Sequence, residues 1–316
     1  LTENIPRVLP EAAQARIKAR HLPHVRFETG SLLDAAQLGT FDYIDCCGVL
    51  HHLPDPEAGL RALHGCVAPG GGLGFMVYAP FGRSGVYPLQ AAFNRLFGHL
   101  PPKSRLKHAK AVFDKLPSAH PLKSNVNLGD HKQSDAGFYD LLIHSQDQAF
   151  SVDKWITALN KTGWSLSGFA QPGLYDLAQY SDVPAEMDVI TQMATAEELR
   201  GTIKTHVGYA RRADEPPLSE MDVLMRIPHL NGLPANQFAQ AVATGEIPRL
   251  RVGADKVHIE IPSKAASLIA AIDGRTKVTK LMQQSGISPQ EGARLWSKVE
   301  AALVPWGLMH YSGFLR

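Results

Sequence analysis

The chain reads as an α/β protein: a doubly wound, mostly parallel sheet followed by a smaller, mostly helical domain. Three observations lead there. FDYIDCCGVL (41–50) and LGFMVYA (73–79) are nearly continuous apolar runs of strand length, the pattern of strands buried on both faces. PEAGLRALHGC (56–66) lies between them with helical composition, which makes a βαβ unit. Beyond the polar, proline-rich break ADEPPLSE (213–220), three helical patterns follow one another.

The elements follow in order. LPEAAQARIKAR (9–20) is a helix, with Glu11 in its first turn and Lys18 and Arg20 in its last. HVRFETG (24–30) alternates like a strand and closes on Gly30. Pro56 suits the first turn of the 56–66 helix, and APGGG stops it. Residues 83–132 carry nine Lys or Arg against two acidic residues, together with His99, His108, His120 and His131. They form a basic, partly helical insertion (83–150 with its flank). FSVDKWITALNKTGW is a helix that Ser151 can cap and Gly163 stops. A strand at WSLSGFAQP, a helix over 184–201 and a strand at THVGYARRA complete a first domain of residues 1–212, the two strands at the sheet edge. In 213–316, KVHIEIPSK is a short strand, three helices follow, and LMHYSGF is a terminal strand.

Composition narrows the function classes. The chain has 316 residues, 44% apolar and 20% charged, with a net charge of +2, so no global field points to nucleic acid or membrane. Cys46, Cys47 and Cys66 form no CxxC pair and no zinc-type ladder, which reads as three buried, reduced thiols and no metal site. No apolar run reaches the ~20 residues that span a bilayer, and the N-terminus lacks a signal-peptide pattern. A cytoplasmic protein is expected.

Three segments in fixed order carry a resemblance. They are VRFETGSLLD, FDYIDCCGVLHHLPDP and LHGCVAPGGGLGFMVYA. Together they resemble the second half of the nucleotide-binding core of class I S-adenosylmethionine-dependent methyltransferases, a Rossmann-like fold, closely over residues 5–80. The resemblance implies S-adenosylmethionine as cofactor. It places Gly30, Ser31 and Leu32 at the adenine, and Gly48, Val49, Leu50 and His51 beside the methionine part. Elementary physics agrees, because ligands of open α/β sheets bind outside the carboxyl ends of the strands. The family's glycine-rich loop and the acid that binds the ribose have no counterpart here. GGGLG (70–74) precedes a strand rather than following one. The chain begins Leu1-Thr2, where relatives carry an acid before such a pair. The expectation is therefore an N-terminal truncation that lays a central sheet edge open and weakens cofactor binding.

Substrate-facing candidates are His52, Tyr78 and Arg83, the last just past a strand end. His51 and His52 leave the strand in opposite directions and make a poor metal pair. His144 and Asp147 could form a proton-accepting pair for an acceptor hydroxyl or amine; the alternative is a turn cluster satisfying backbone donors. The basic insertion reads as a solvated face, a lid over a small-molecule acceptor or, less favoured, a nucleic-acid surface. The C-terminal domain resembles a winged helix. Arg275, Lys277 and Lys280 would suit DNA, but the apolar SPQEGARLWSKVEAALVPW favours packing on the first domain or on a second subunit as a homodimer. The implied activity is methyl transfer to an O, N or C nucleophile, with a small molecule as the expected acceptor. The rival readings are a non-catalytic scaffold and a nucleic-acid-binding regulator.

Overall fold

The structure is a computed structural model that describes residues 8–144, 146–215, 223–247, 249–252 and 255–312. Helix α1 (Val8–Ala19) leads through an irregular segment to a 3-10 turn, Leu32–Leu38. Strand β1 (Phe41–Cys47), helix α2 (Pro56–His64) and strand β2 (Val67–Tyr78) then form one βαβ unit, with β1 and β2 parallel. Asp55 starts α2 by accepting from the Ala58 N–H at 3.0 Å, and Pro56 occupies the first turn, where its missing N–H costs nothing.

Five helices interrupt the α/β pattern: α3 (Val86–Phe97), α4 (Pro102–Asp114), α5 (Pro121–Ser124), α6 (Asp130–Gln133) and α7 (Asp135–Ile143). They enclose their own core of Val86, Leu89, Phe93, Leu122, Phe138 and Leu142. The chain returns through α8 (Val152–Lys161), β3 (Trp164–Phe169), α9 (Val189–Arg200) and β4 (Thr205–Arg212). The sheet order is β1-β2-β4-β3, with β4 antiparallel to both neighbours, so β1, β2 and β3 point one way.

One face of this sheet is packed. Ile44 and Cys46 of β1, Leu73, Phe75 and Val77 of β2, and Ala210 of β4 meet Leu60 and Leu63 of α2 and Val152, Trp155 and Leu159 of α8. Each fully buried Leu, Val or Phe among them contributes roughly 1.5–3 kcal/mol of burial. The Trp164 indole sits fully inside and donates to the Leu60 carbonyl at 3.0 Å. Gly208 lets β3 and β4 close on Phe75, because a Cβ there would lie 2.8 Å from both the Gly168 carbonyl and the Phe75 ring. The other face stays open to solvent at Tyr43, Val207 and Tyr209.

The C-terminal part comprises β5 (Ile227–Leu230), α10 (Ala235–Thr244), β6 (Leu250–Val252), β7 (Asp255–Val257), α11 (Ala266–Ala270), α12 (Val278–Gln284), α13 (Pro289–Leu303) and β8 (Met309–Ser312). Strand β8 pairs with β5 across some eighty residues, and β6 with β7. A separate core gathers Phe238, Leu268, Leu281, Trp296, Val299 and Leu303. Toward the first sheet, the Gln171 amide donates to the Trp306 carbonyl at 3.3 Å. A cavity of about 290 Å³ lies there, lined by Gln171, Tyr175, Thr205, Val207, Asn231 and Gly307 among others.

Several expectations are corrected. Residues 24–30 are not a strand: they are exposed, and among the described residues β1 pairs with β2 alone, so no ladder partner there holds them extended. The expected strand pair does form one end of the sheet, with β3 outermost and β4 between it and β2. Strand β7 ends at Val257, before most of the KVHIEIPSK pattern, and β5 and α10 were not foreseen. Helices α2 and α8 pack on one face of the sheet, and Tyr43, Val207 and Tyr209 on the other face are exposed. Cys47 is exposed, unlike Cys46 and Cys66. Leu295, Trp296, Val299 and Leu303 of α13 turn into their own core, while Pro305 and Trp306, at the end of the same segment, meet Gly173 and Gln171 of the first part. Most of the 213–220 break lies outside the described residues.

Candidate active site

The parallel pair β1–β2 opens its carboxyl ends toward the loop after β1. There Gly48 adopts φ +80°, and its N–H donates to the Met76 carbonyl at 3.1 Å. Only a residue without a Cβ turns there without strain. The turn throws Leu50–His52 into a single 3-10 turn, with Leu50 and His51 buried and Val49 exposed. Residues 30–38 approach from the side. Leu32, Leu50 and Leu53 all crowd the Cα of Gly59 on α2, which ties the Ser31 segment to the Gly48–His52 turn. Ser31 caps the 3-10 turn by accepting from the Leu33 N–H at 3.2 Å, which leaves its own O–H free of that bond. Gly30 faces open space.

A second set of side chains closes the other flank. The His51 ring lies 3.8 Å from the Tyr78 ring, centroid to centroid, and the Arg83 guanidinium lies 3.6 Å from the same Tyr78 centroid. His52 stands 4.2 Å from His51 and 4.2 Å from His144. Arg83, 4% exposed, donates to the Tyr87 hydroxyl at 2.9 Å and to Asp147 Oδ2 at 3.1 Å. Gln90 of α3 donates to the same oxygen at 2.8 Å. The Asp147 side chain is fully buried, and its Oδ1 has no hydrogen-bond partner among the described residues.

These contacts fix the histidines' proton positions. His52 Nδ1 lies 2.8 Å from the Gln146 carbonyl, so that nitrogen carries the hydrogen and Nε2 keeps its lone pair. His144 Nδ1 accepts from the Gln146 N–H at 3.3 Å, so its hydrogen sits on Nε2 when the ring is neutral. His51 is fully buried with neither ring nitrogen partnered among the described residues. Burial pushes its pKa down to about 3, helped by His52, Arg83 and His144, so it is neutral at physiological pH. Burial raises the Tyr78 phenol, with Asp140 adding and Arg83 opposing.

Two sequence expectations change. His144 and Asp147 belong to one loop, but the carboxylate is engaged by Arg83 and Gln90, so it does not serve as the partner of His144. Arg83 is likewise no free charge for an anionic acceptor, because Asp147 neutralises it inside the protein. Sequence reading also missed Gln90 and Tyr87. Each lies on α3, more than fifty residues before Asp147, and no short motif connects them.

A comparison with family models matches residues 4–73 to a methyltransferase domain. That span carries the Ser31 and Gly48–His52 segments. A Synechococcus sp. protein, syc1184_c, itself uncharacterized, is 34% identical over 151 residues, covering 46% of this chain and 36% of that protein. Among solved structures, PKMT2 from Rickettsia typhi superposes with a TM-score of 0.64 at 12% identity, over 98% of this chain and 66% of that one. PKMT2 in complex with AdoHcy gives 0.62 at 13%, over 97% and 65%. These superpositions are a likeness of fold. The chain spans about a third of the Synechococcus protein and about two thirds of PKMT2.

Proposed function

We propose that the protein is an S-adenosylmethionine-dependent methyltransferase whose acceptor docks at the carboxyl end of the β1–β2 pair. The observation that carries this reading is the convergence of His51, His52, Tyr78, Arg83, His144 and Asp147 on that rim, beside a methyltransferase-domain segment. The residues fit the cofactor. Gly30 and Gly48 let a bulky ligand approach the backbone, Ser31 offers an O–H to an adenine edge, and Gly48–His51 wall the methionine part.

S-adenosylmethionine, when bound, supplies an activated methyl on a sulfonium leaving group. The protein's share is to orient an O, N or C nucleophile in line and to exclude water. Where the acceptor must lose a proton, the Nε2 lone pair of partly exposed His52 takes it; fully buried His51 shapes the wall. A small-molecule acceptor suits a rim that three helix-borne side chains, Arg83, Tyr87 and Gln90, narrow from one flank. We read the C-terminal part as a winged-helix-like accessory unit of residues 213–316.

The test is a methyl-transfer screen with isotopically labelled S-adenosylmethionine against small O-, N- and C-nucleophiles and against proteins. Label transfer that His52→Ala reduces ten-fold or more supports the reading. Transfer indifferent to His52 and Tyr78 variants contradicts it, and labelled protein alone would redirect the acceptor class.

A further inference from the structure

A buried polar group outside the rim has no role so far. His206 of β4 and Glu197 of α9 are both fully buried, and Tyr175 is nearly so. His206 Nε2 lies 2.8 Å from the Phe150 carbonyl, so it donates there, and Glu197 Oε1 sits 3.3 Å from the same nitrogen. His206 Nδ1 lies 2.7 Å from the Tyr175 hydroxyl and accepts its hydrogen when the ring is neutral. Glu197 Oε2 accepts from the Val152 N–H at 2.7 Å. Two side chains from distant elements, His206 and Glu197, thus hold two backbone groups, Phe150 C=O and Val152 N–H, and Tyr175 holds His206.

Those groups belong to the segment that carries the rim's polar side chains. From Phe150 back to Gln146 it is stitched to the rim: the Phe150 N–H donates to the Tyr78 carbonyl at 2.9 Å, the Gln148 N–H to the His51 carbonyl at 3.1 Å, and His52 Nδ1 to the Gln146 carbonyl. Asp147 lies between, clamped by Arg83 and Gln90. A buried polar network is expensive to retain wherever a bond is missing, and Glu197 Oε1 has no hydrogen-bond partner among the described residues. An apolar trio at these positions would fill the core at less cost and would leave the Phe150 carbonyl without a donor.

We propose that Glu197, His206 and Tyr175 are positioning residues: they fasten the 146–152 segment from behind, and so set the placement of Asp147 and the proton position on His52. The proposal rests on reading the rim as the active site. Its assignment of the fastening is independent of any acceptor.

The test uses the whole chain with ¹⁵N-labelled histidine, plus amide-resolved hydrogen exchange. In the unaltered protein His52 gives the signature of the Nδ1–H form, and the Gln148 and Phe150 amides are protected. His206→Leu is expected to turn the His52 signal into the mixture of a free imidazole and to speed exchange at those two amides ten-fold or more, with β2 amides such as Phe75 unchanged. His206→Gln, whose amide can still donate to the Phe150 carbonyl, is expected to restore both. If His206→Leu does not fold, Glu197→Gln replaces it, with a several-fold rise at Val152 and Phe150 expected. A His52 signal unchanged in these variants overturns the proposal. So does exchange that rises uniformly through β2 and α8, since that is the mark of a merely structural core. These readouts stand even if no acceptor is found, so failure of the methyltransferase reading appears separately, in the screen.

Discussion

The two flanks of the candidate site are built in opposite ways. On the flank of His51, Arg83 and Asp147, charged and polar groups sit inside the protein: Arg83 and Asp147 as a shielded ion pair, His51 buried beside them with neither ring nitrogen partnered among the described residues. On the flank of residues 24–38, Val25, Phe27, Leu33 and Leu38 are 39–57% exposed, Ser31 faces solvent, and β1 has an edge with no strand partner among the described residues. The first flank is preorganised and energetically expensive; the second is held mainly by its contact with α2. A binding site so divided can fix an acceptor through the shielded side, while the open side contributes affinity only when a ligand orders it.

The largest effect that would sharpen this contrast is at Arg83. Arg83→Met strands the Asp147 carboxylate, whose side chain has no exposure, and should cost about 3–5 kcal/mol of unfolding free energy in a denaturant titration. Removing both charges with Asp147→Leu should recover much of that loss. A single-variant cost below about 1 kcal/mol would show that the pair is not shielded as described.

The next effect is a pH dependence. His51 is held at about 3 in the folded chain against 6.5 when free. Above pH 6.5 both states are neutral and the contribution is complete. Between 6.5 and 3 the unfolded chain takes up a proton that the folded chain refuses, so stability falls as pH falls, by up to about 1.4 kcal/mol per pH unit. His51→Leu should remove that slope. An unchanged slope in denaturation curves at pH 6, 5 and 4 would mean His51 is solvated after all.

The smallest effect belongs to the open flank. Ser31→Ala removes one cap from an exposed 3-10 turn and should change global stability by no more than about 1 kcal/mol. A larger loss would show that this segment is part of the cooperative core.

Much of the frame was legible because it is local. The runs at 41–50 and 73–79 became β1 and the second half of β2; the Gly48 turn follows from that βαβ unit, and the Ser31 segment is tied to it by Leu32 packing with Leu50 against Gly59 of α2. The 24–30 alternation misled, since period-two spacing describes a strand only where a neighbour exists to pair with it. Partnerships were illegible: Asp147 looks like a partner for His144 three residues away, yet Arg83, sixty-four residues earlier, and Gln90 hold it. His206 gives little signal in THVGYARRA beyond sharing a face with Gly208 and Ala210, and nothing in the chain joins it to Glu197 or Tyr175.

The measurement that bears most directly on the central claim is a titration with S-adenosylhomocysteine followed at individual backbone amides. One binding curve should move Ser31 and Leu33 together with Gly48, Leu50 and His51. Saturation that moves only residues of the C-terminal part, or shifts at the Gly48–His52 turn with none at Ser31, would contradict a single adenosyl site on the rim of β1 and β2.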